Sequence, residues 1–313
     1  MIRCFLMSGD AKRVDVMQIG TGAWLCAAYG NGVFVMGGKD RLVWSADGIH
    51  WREAMLSGYV YNLEWSDEAN RFYGVANAVS TDDAYFLSSV DGKSWTQSKI
   101  TLPSISDYSY AASLVYGKGA FVLRAVAHDM GLAYPTYLCR SAVGTGAYGI
   151  AGSGTAGPGS VNPGLCFSGG FFFASHQNEY ISEYGSSWKQ IHFTGSVTVR
   201  GFDVAYGNGV YVGKAYTGHI YTAKNISAAA SPTFEYKTRL ENIATDIPYP
   251  HLLFGGGKFI CVGNGLVYTS ADGTGWNRID IPECTGVTVY CAATNGKKVV
   301  VAGKNGMVGV FHL

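Results

Sequence analysis

Two carboxylates held a fixed distance apart can run general acid–base or glycoside chemistry, so the acidic residues are the first place to look for activity. Asp82 and Asp83 stand side by side, and Asp107 and Asp129 lie in other long connections. An Asp pair between short apolar runs reads as a solvated turn, and no Ser/His/Asp constellation accompanies it. The seven histidines (His50, His128, His176, His192, His219, His251 and His312) are spread singly, without metal-ligand spacing. The cysteines Cys4, Cys26, Cys139, Cys166, Cys261, Cys284 and Cys291 are odd in number and form no C-x-x-C pair, so neither a disulfide framework nor a zinc ribbon is indicated. Cys26, Cys166, Cys261 and Cys291 sit in apolar runs and read as free, buried thiols of a chain folded in a reducing compartment. Gly30-Asn31-Gly32 and Gly255-Gly256-Gly257 are not phosphate loops, because no helix follows them. The stretch Ile105-Ser106-Asp107-Tyr108-Ser109-Tyr110 has rings and acid groups suited to stacking on a sugar, but Tyr108 and Tyr110 read first as inner-strand packing residues. No catalytic, cofactor or metal residue is expected. The candidate contact residues are Asp82, Asp83, Tyr108, Asp129, Tyr134 and Tyr137.

Composition narrows the class. The chain has 313 residues, of which 14% are charged, with a net charge of +1 and 43 glycines. Charge is well below the roughly 25% of an ordinary soluble domain, and glycine is about double the average. An apolar content of 48% excludes a disordered chain, and glycine shows no period of three. No apolar run approaches the ~18–20 residues of a membrane helix. The balanced charge argues against a general nucleic-acid binder. The apolar stretch near Met1 is too short for a secretory signal, so none is expected.

The elements that must position these residues come from a repeat. Ala28-Tyr29-Gly30-Asn31-Gly32-Val33-Phe34-Val35 returns as Val115 to Val122 and as Ala205 to Val212, with looser copies at Trp65–Phe72, Phe167–Phe173, Phe254–Ile260 and Ala293–Val299. Each copy is two apolar strands around a turn whose Gly and Asn take positive φ. A second phrase, Ser-x-Asp-Gly-x-x-Trp, is built on Ser45, Asp47 and Trp51, on Ser89, Asp91 and Trp95, and on Ser270, Asp272 and Trp276. A variant carries Ser182 and Trp188, and decayed copies stand at Ser141–Gly144 and Thr222–Asn225. It reads as the turn between a third and a fourth strand, with the Trp packed between units.

Seven copies of a four-stranded unit describe an all-β, seven-bladed β-propeller with antiparallel blades. The blades fall at about 20–58, 59–108, 109–161, 162–197, 198–244, 245–284, and 285–313 joined by 1–18. The last blade lacks a strand, and Ser8-Gly9-Asp10-Ala11 aligns with the turn phrase, with Val14 at the Trp position. The N-terminal segment is therefore expected to complete the C-terminal blade. Two candidates for its third strand stay open, Arg3–Met7 and Met307–Leu313. Three excursions, Asn77–Tyr85, Ala127–Tyr137 and the Gly/Ala/Ser-rich Gly144–Gly164, read as contact loops; the last looks flexible or ordered by a partner.

The turns resemble the Asp-box of sialidase-like and sortilin-like propellers, one residue shorter between Asp and Gly. Together with the Tyr-Gly-Asn-Gly hairpins they are similar to repeats of tailed-bacteriophage virion proteins and some bacterial surface proteins. The sialidase resemblance implies no activity here, since no arginine stands in that family's Phe/Tyr-Arg-Ile-Pro context. The phage resemblance implies a non-enzymatic virion component made in the host cytoplasm. It would be tail, tail-tip or fibre-associated, present in several symmetric copies, docked on other virion proteins and in reach of the host surface. A carbohydrate-binding propeller (lectin or diverged glycosidase) is the alternative, and an intracellular scaffold similar to Asp-box photosystem assembly factors is a further one.

Overall fold

Residues 24–54 show how one unit is built. Trp24–Gly30, Val33–Gly38, Arg41–Ser45 and Arg52–Ala54 pair in sequence order as an antiparallel sheet. Asn31 (φ 43°) and Gly32 (φ 78°) form the tight turn between the first two strands, and both have the positive φ that matches strand twist. We describe a computed structural model covering residues 14–54, 56, 58–78, 83–103, 109–127, 134–156, 164–175, 178–195, 199–243, 252–263, 265–284 and 288–313.

The unit recurs seven times around an axis, giving a seven-bladed β-propeller. The inner strands are Trp24–Gly30, Tyr59–Ser66, Ser109–Gly117, Leu165–Ser168, Asp203–Gly207, Leu252–Gly255 and Val289–Thr294. The outer strands are Arg52–Ala54, Thr96–Thr101, Gly149–Ala156, Lys189–Gln190, Thr233–Arg239, Asn277–Asp280 and, for the seventh blade, Val14–Gln18. The ring closes as expected: Val14–Gln18 pairs antiparallel with Met307–His312, Val14 opposite Phe311. Met307–His312 is thus the third strand and the N-terminal segment the outer one. Residues 1–13, including Arg3–Met7 and Ser8–Asp10, lie outside the described residues.

The hydrophobic core is divided into seven wedges, one at each seam between neighbouring blades. A repeated cross-strand aromatic pair fills six of the seven hairpins: Tyr29/Phe34, Trp65/Phe72, Tyr116/Phe121, Phe167/Phe172, Tyr206/Tyr211 and Phe254/Phe259, with ring centroids between 4.5 and 4.9 Å; in the seventh blade Thr294 stands opposite Val299. The glycine after the first aromatic makes room for the next blade. A Cβ on Gly30 would lie 2.0 Å from the Trp65 ring, and one on Gly207 would lie 2.1 Å from Phe254. The Tyr-Gly step of the repeat is therefore a knob and a hole.

Strands reach into the described parts of the three excursions, whose residues 79–82, 128–133 and 157–163 lie outside the described residues. Asn77 ends one strand and Ala84 begins the next. Tyr134 and Tyr137 belong to the strand Tyr134–Ser141, not to a loop. Within Gly144–Gly164 the described residues include Gly146–Ala147 and the eight-residue outer strand Gly149–Ala156, while residues 157–163 lie outside the described residues. The small residues of that strand carry no period-two apolar signal, because an outer strand needs backbone pairing more than buried side chains.

Among the described residues, two outer edges are extended by strands from outside the blade. Gly146–Ala147 pairs in parallel with Thr96–Thr101 of the second blade. His192–Phe193, between the fourth and fifth blades, pairs in parallel with Thr233–Arg239.

Candidate functional site

In an antiparallel blade the first-to-second and third-to-outer turns share one end of the sheet. The two repeated phrases therefore meet on one face of the propeller, called here the turn face. Each Ser-x-Asp-Gly turn is a closed cage. Asp47 Oδ1 accepts from the N–H of Ile49 (2.8 Å) and His50 (2.8 Å) and from the Ser45 hydroxyl (2.9 Å), while Ser45 Oγ accepts from the Gly48 N–H (2.9 Å). The Trp51 indole donates to the Gly48 carbonyl at 2.8 Å. Asp91 and Trp95, and Asp272 and Trp276, repeat the arrangement. The glycine has positive φ and presses on the preceding blade; a Cβ on Gly92 would meet Val33 at 2.8 Å.

These carboxylates are held as anions. Burial acts against the charge of Asp47, but hydrogen bonds from His50, Ile49 and Ser45 outweigh it and keep it well below the usual carboxylate range. The Thr274 hydroxyl and N–H hold Asp272 at about 2, and the Ser94 N–H lowers Asp91. Their partners are their own turns, so the arrangement is structural.

The two phrases also bind each other across seams. Asn31 Nδ2 donates to the Val90 carbonyl (3.0 Å), and Asn208 Nδ2 donates to that of Ala271 (2.9 Å). Val90 and Ala271 both occupy the second position of the turn phrase, one blade further on. Lys298 Nζ donates to the Asp47 carbonyl (2.9 Å), carrying the pattern from the seventh blade to the first. Lys118, at φ 47°, reaches the Glu183 carboxylate (2.7 Å), and its N–H donates to Glu68 (2.8 Å).

The degenerate turns keep the fold and change the surface. In the third blade the Tyr148 hydroxyl donates to the Gly144 carbonyl (2.8 Å), replacing the missing indole. In the fifth blade Asn225 takes the glycine's positive φ (52°). In the fourth, Gly185 N–H still donates to Ser182 Oγ (2.9 Å), but Trp188 Nε1 is buried without an acceptor. At the aspartate position stand Val143, 69% exposed, and Tyr184, 55% exposed; beside them on the same face are Val90 (51%) and Tyr206 (41%). Four consecutive blades, the second to the fifth, thus present exposed apolar side chains in a crescent.

The axis is a channel of about 610 Å³, walled by inner-strand residues that include Tyr29, Asn62, Glu64, Cys166, Asp203 and Thr294. Glu64 stands where other blades carry Ala28, Val115 or Ala205. Removal from bulk water pushes its carboxyl up to about 8, and a side-chain hydrogen bond with Asn62 opposes this. Asn62 Oδ1 also accepts from the Leu114 N–H of the next blade (3.0 Å). Further out, a charged cluster is buried between the third, fourth and fifth blades. Arg124 Nη2 donates to the carbonyls of Ser175 and Gly164, and Lys214 Nζ lies 3.6 Å from Asp203 Oδ2. Burial raises Glu179 to about 8 against the opposing Ser175 hydroxyl and Arg124 charge, and burial lowers Arg124 to about 9.

Asp82, Tyr108 and Asp129 lie outside the described residues. Asp83 pairs with Lys99 Nζ at 2.6 Å. Tyr137 packs at the seam between the second and third blades; Tyr134 lies in the same strand. The described candidates do not assemble into one site. Cys26, Cys139, Cys166, Cys261 and Cys291 are free thiols, and burial raises each. Three of them also act across seams: Cys26 donates to the Val60 carbonyl, Cys166 to Val204 and Cys291 to Trp24. The channel and the buried cluster escaped sequence reasoning. Their one local signal is a charge inside an apolar run, as at Leu123-Arg124-Ala125.

Among solved structures the chain is similar to seven-bladed propellers over nearly its whole length. YCF48 bound to D1 peptide matches with a TM-score of 0.59 at 14% identity, covering 97% of this chain and 98% of that one. Virginiamycin B lyase from Staphylococcus aureus matches with a TM-score of 0.62 at 10% identity, covering 96% and 100%. The WD40 propeller of Doa1 matches with a TM-score of 0.59 at 10% identity, covering 96% of each chain. At these identities the likeness is one of fold alone. No family model and no curated protein matches the sequence.

Proposed function

We propose that this chain is a non-enzymatic docking propeller of a larger assembly, and that the assembly is the virion of a tailed phage. There it would be a tail, tail-tip or fibre-associated part held against other virion proteins. The observation that carries docking is the crescent of Val90, Val143, Tyr184 and Tyr206 on the turn face. Exposed apolar side chains on adjoining blades, two of them at positions where the other turns keep a caged aspartate, suit a protein partner. The repeat resemblance and the low charge support the virion setting. The test is affinity capture from phage-infected lysate with wild type and with Val143→Asp/Tyr184→Asp. Capture of tail proteins by wild type and its loss in the variant are expected. Equal capture by both would remove the crescent from the account, and recovery of no virion protein would remove the virion.

A second reading has its own observation. The channel offers a neutral carboxyl at Glu64 beside Asn62 and Tyr29, a donor–acceptor set suited to an uncharged polyhydroxyl ligand. Glycan-array binding lost in Glu64→Ala would favour the carbohydrate-binding alternative.

A further inference from the structure

A β-bulge inserts one extra residue into a strand and re-aims its side chain. The inner strand of the second blade carries one. Its pairing with the next strand skips Tyr61, passing from Val60 to Asn62, and Tyr61 and Asn62 both line the axial channel. The inner strand of the first blade skips Leu25 in the same way, and Leu25 and Cys26 both line the channel. In a regular strand one residue of each such pair would point to the opposite side. The bulge of the second blade therefore turns a tyrosine ring into the channel wall.

That ring belongs to a row. Tyr59 lies 5.9 Å from Tyr61, centroid to centroid, with the planes tilted by 32°. Tyr110, on the inner strand of the third blade, lies 6.0 Å from Tyr61 with a tilt of 36°. These separations are too long for one ring to cover the next fully, and all three rings are half-buried. Lys39 Nζ sits 5.3 Å from the Tyr59 centroid, so the first blade closes that ring and Tyr59 serves as backing. Tyr61 is the ring in the channel wall, and Tyr110 continues it toward the third blade. Tyr59, Tyr61 and Tyr110 stand near the start of their inner strands, at the end of the channel opposite the turn face. Docking through the crescent does not cover this end.

The channel lining sets the charge of a ligand. Among its described residues there is no Lys, Arg or His, so an anionic ligand finds no countercharge. Its acids are engaged by the protein: Asp67 accepts from the Trp65 indole at 2.7 Å, and Asp203 lies 3.6 Å from Lys214 Nζ. What remains is half-buried aromatic carbon beside the Asn62 amide and the Glu64 carboxyl. A pyranose ring has the matching division, a face of C–H groups and a rim of hydroxyls.

We propose that Tyr61 and Tyr110 form a stacking subsite for one pyranose ring of a neutral saccharide, which enters the channel from the end opposite the turn face with Asn62 and Glu64 beside it for the hydroxyls. The proposal rests on the carbohydrate-binding reading of the channel and adds to it the entry end and the stacking residues. One ring comes from the Tyr108-Ser109-Tyr110 stretch, and the bulge supplies the other.

The test is a glycan array of neutral saccharides, followed by titration calorimetry and saturation-transfer NMR on the tightest binder of the array. Tyr61→Phe keeps the ring and should bind within about twofold of wild type, whereas Tyr61→Ala and Tyr110→Ala should each bind at least about tenfold more weakly. In wild type the C–H protons of one sugar face should receive the strongest saturation. Far-ultraviolet circular dichroism separates lost binding from lost fold. Tyr61→Leu and Tyr110→Leu keep apolar volume without the ring, and they replace an alanine variant that does not fold, with the same loss expected. Binding that disappears in Glu64→Ala but is unchanged in the Tyr61 and Tyr110 variants would overturn the subsite and leave the channel reading standing. A wild type that binds no saccharide would remove both.

Discussion

Tyr184→Asp rebuilds the fourth blade's turn on the pattern of the first, second and sixth. Residues 182–188 already supply the serine, the positive-φ glycine and the tryptophan at the right spacing. A carboxylate at position 184 would accept from the N–H groups of Ser186 and Ser187 and from the Ser182 hydroxyl, as Asp47 does in its own turn. Hydrogen bonds to a charged group are worth about 1.5–3 kcal/mol each when buried. At this exposed turn, solvent screening reduces three of them to about 2 kcal/mol in total. Against this stands the contact of Lys118 Nζ with the Tyr184 ring, 5.0 Å from its centroid, worth about 0.5–1 kcal/mol at an exposed site. The net gain is about 1 kcal/mol, or roughly 1–3 °C in Tm for a chain of this size. A depressed carboxyl stabilises above its unfolded value and loses that contribution as pH falls through its folded value. The gain should therefore be complete at pH 7 and gone near pH 2, where Asp272 of the intact turn titrates. Differential scanning calorimetry at the two pH values reads both. A Tm lower than wild type at pH 7 would refute the reasoning, because the ring of Tyr184 would then be a support of the fold and not a surface left for a partner.

Other outcomes follow from the same geometry. Asp272→Ala should cost about 1–2 kcal/mol at pH 7 by chemical denaturation, and much less near pH 2, since it removes the cage in the opposite sense. Gly207→Ala should cost about 1–3 kcal/mol, because the new methyl overlaps the Phe254 ring; Gly32→Ala meets open space and should pay only for its positive φ. Glu64 binds its proton more tightly folded than unfolded, so its contribution to stability should fall as pH rises from about 4 to about 8, by at most about 1.4 kcal/mol per pH unit, and Glu179 adds a fall of the same sign. Glu64→Gln should make that fall shallower in urea titrations at stepped pH, leaving the part due to Glu179, and an unchanged slope would mean that Glu64 is ionised at pH 7.

The turn chemistry explains why the repeat was legible and the surface was not. Tyr29-Gly30-Asn31-Gly32 encodes a local event, a hairpin whose φ angles only a few residues accept, and local events survive in sequence as recurring words. Ser45-Ala46-Asp47-Gly48 is legible for the same reason: its hydrogen bonds close within six residues. What these words do to each other was not legible. Asn31 reaches Val90 across 59 positions, and Gly30 exists for Trp65 of the next blade. Gly149–Ala156 carries no pattern at all, because its place is set by pairing with Tyr134–Ser141.

The sequence by itself determined the architecture: seven hairpins, a repeated third-to-outer turn, and a last blade one strand short. Each of these is a count or a contact between near neighbours. Only the tertiary structure decided which terminal strand closes the ring, where the charges of Arg124, Glu179, Asp203 and Lys214 are buried, and that the degenerate turns place Val143 and Tyr184 on one exposed crescent. The physical reason is closure. Curling the sheets into a ring brings residues dozens of positions apart to one seam, one channel and one face, and the consequences of that juxtaposition are written in no single segment of the chain.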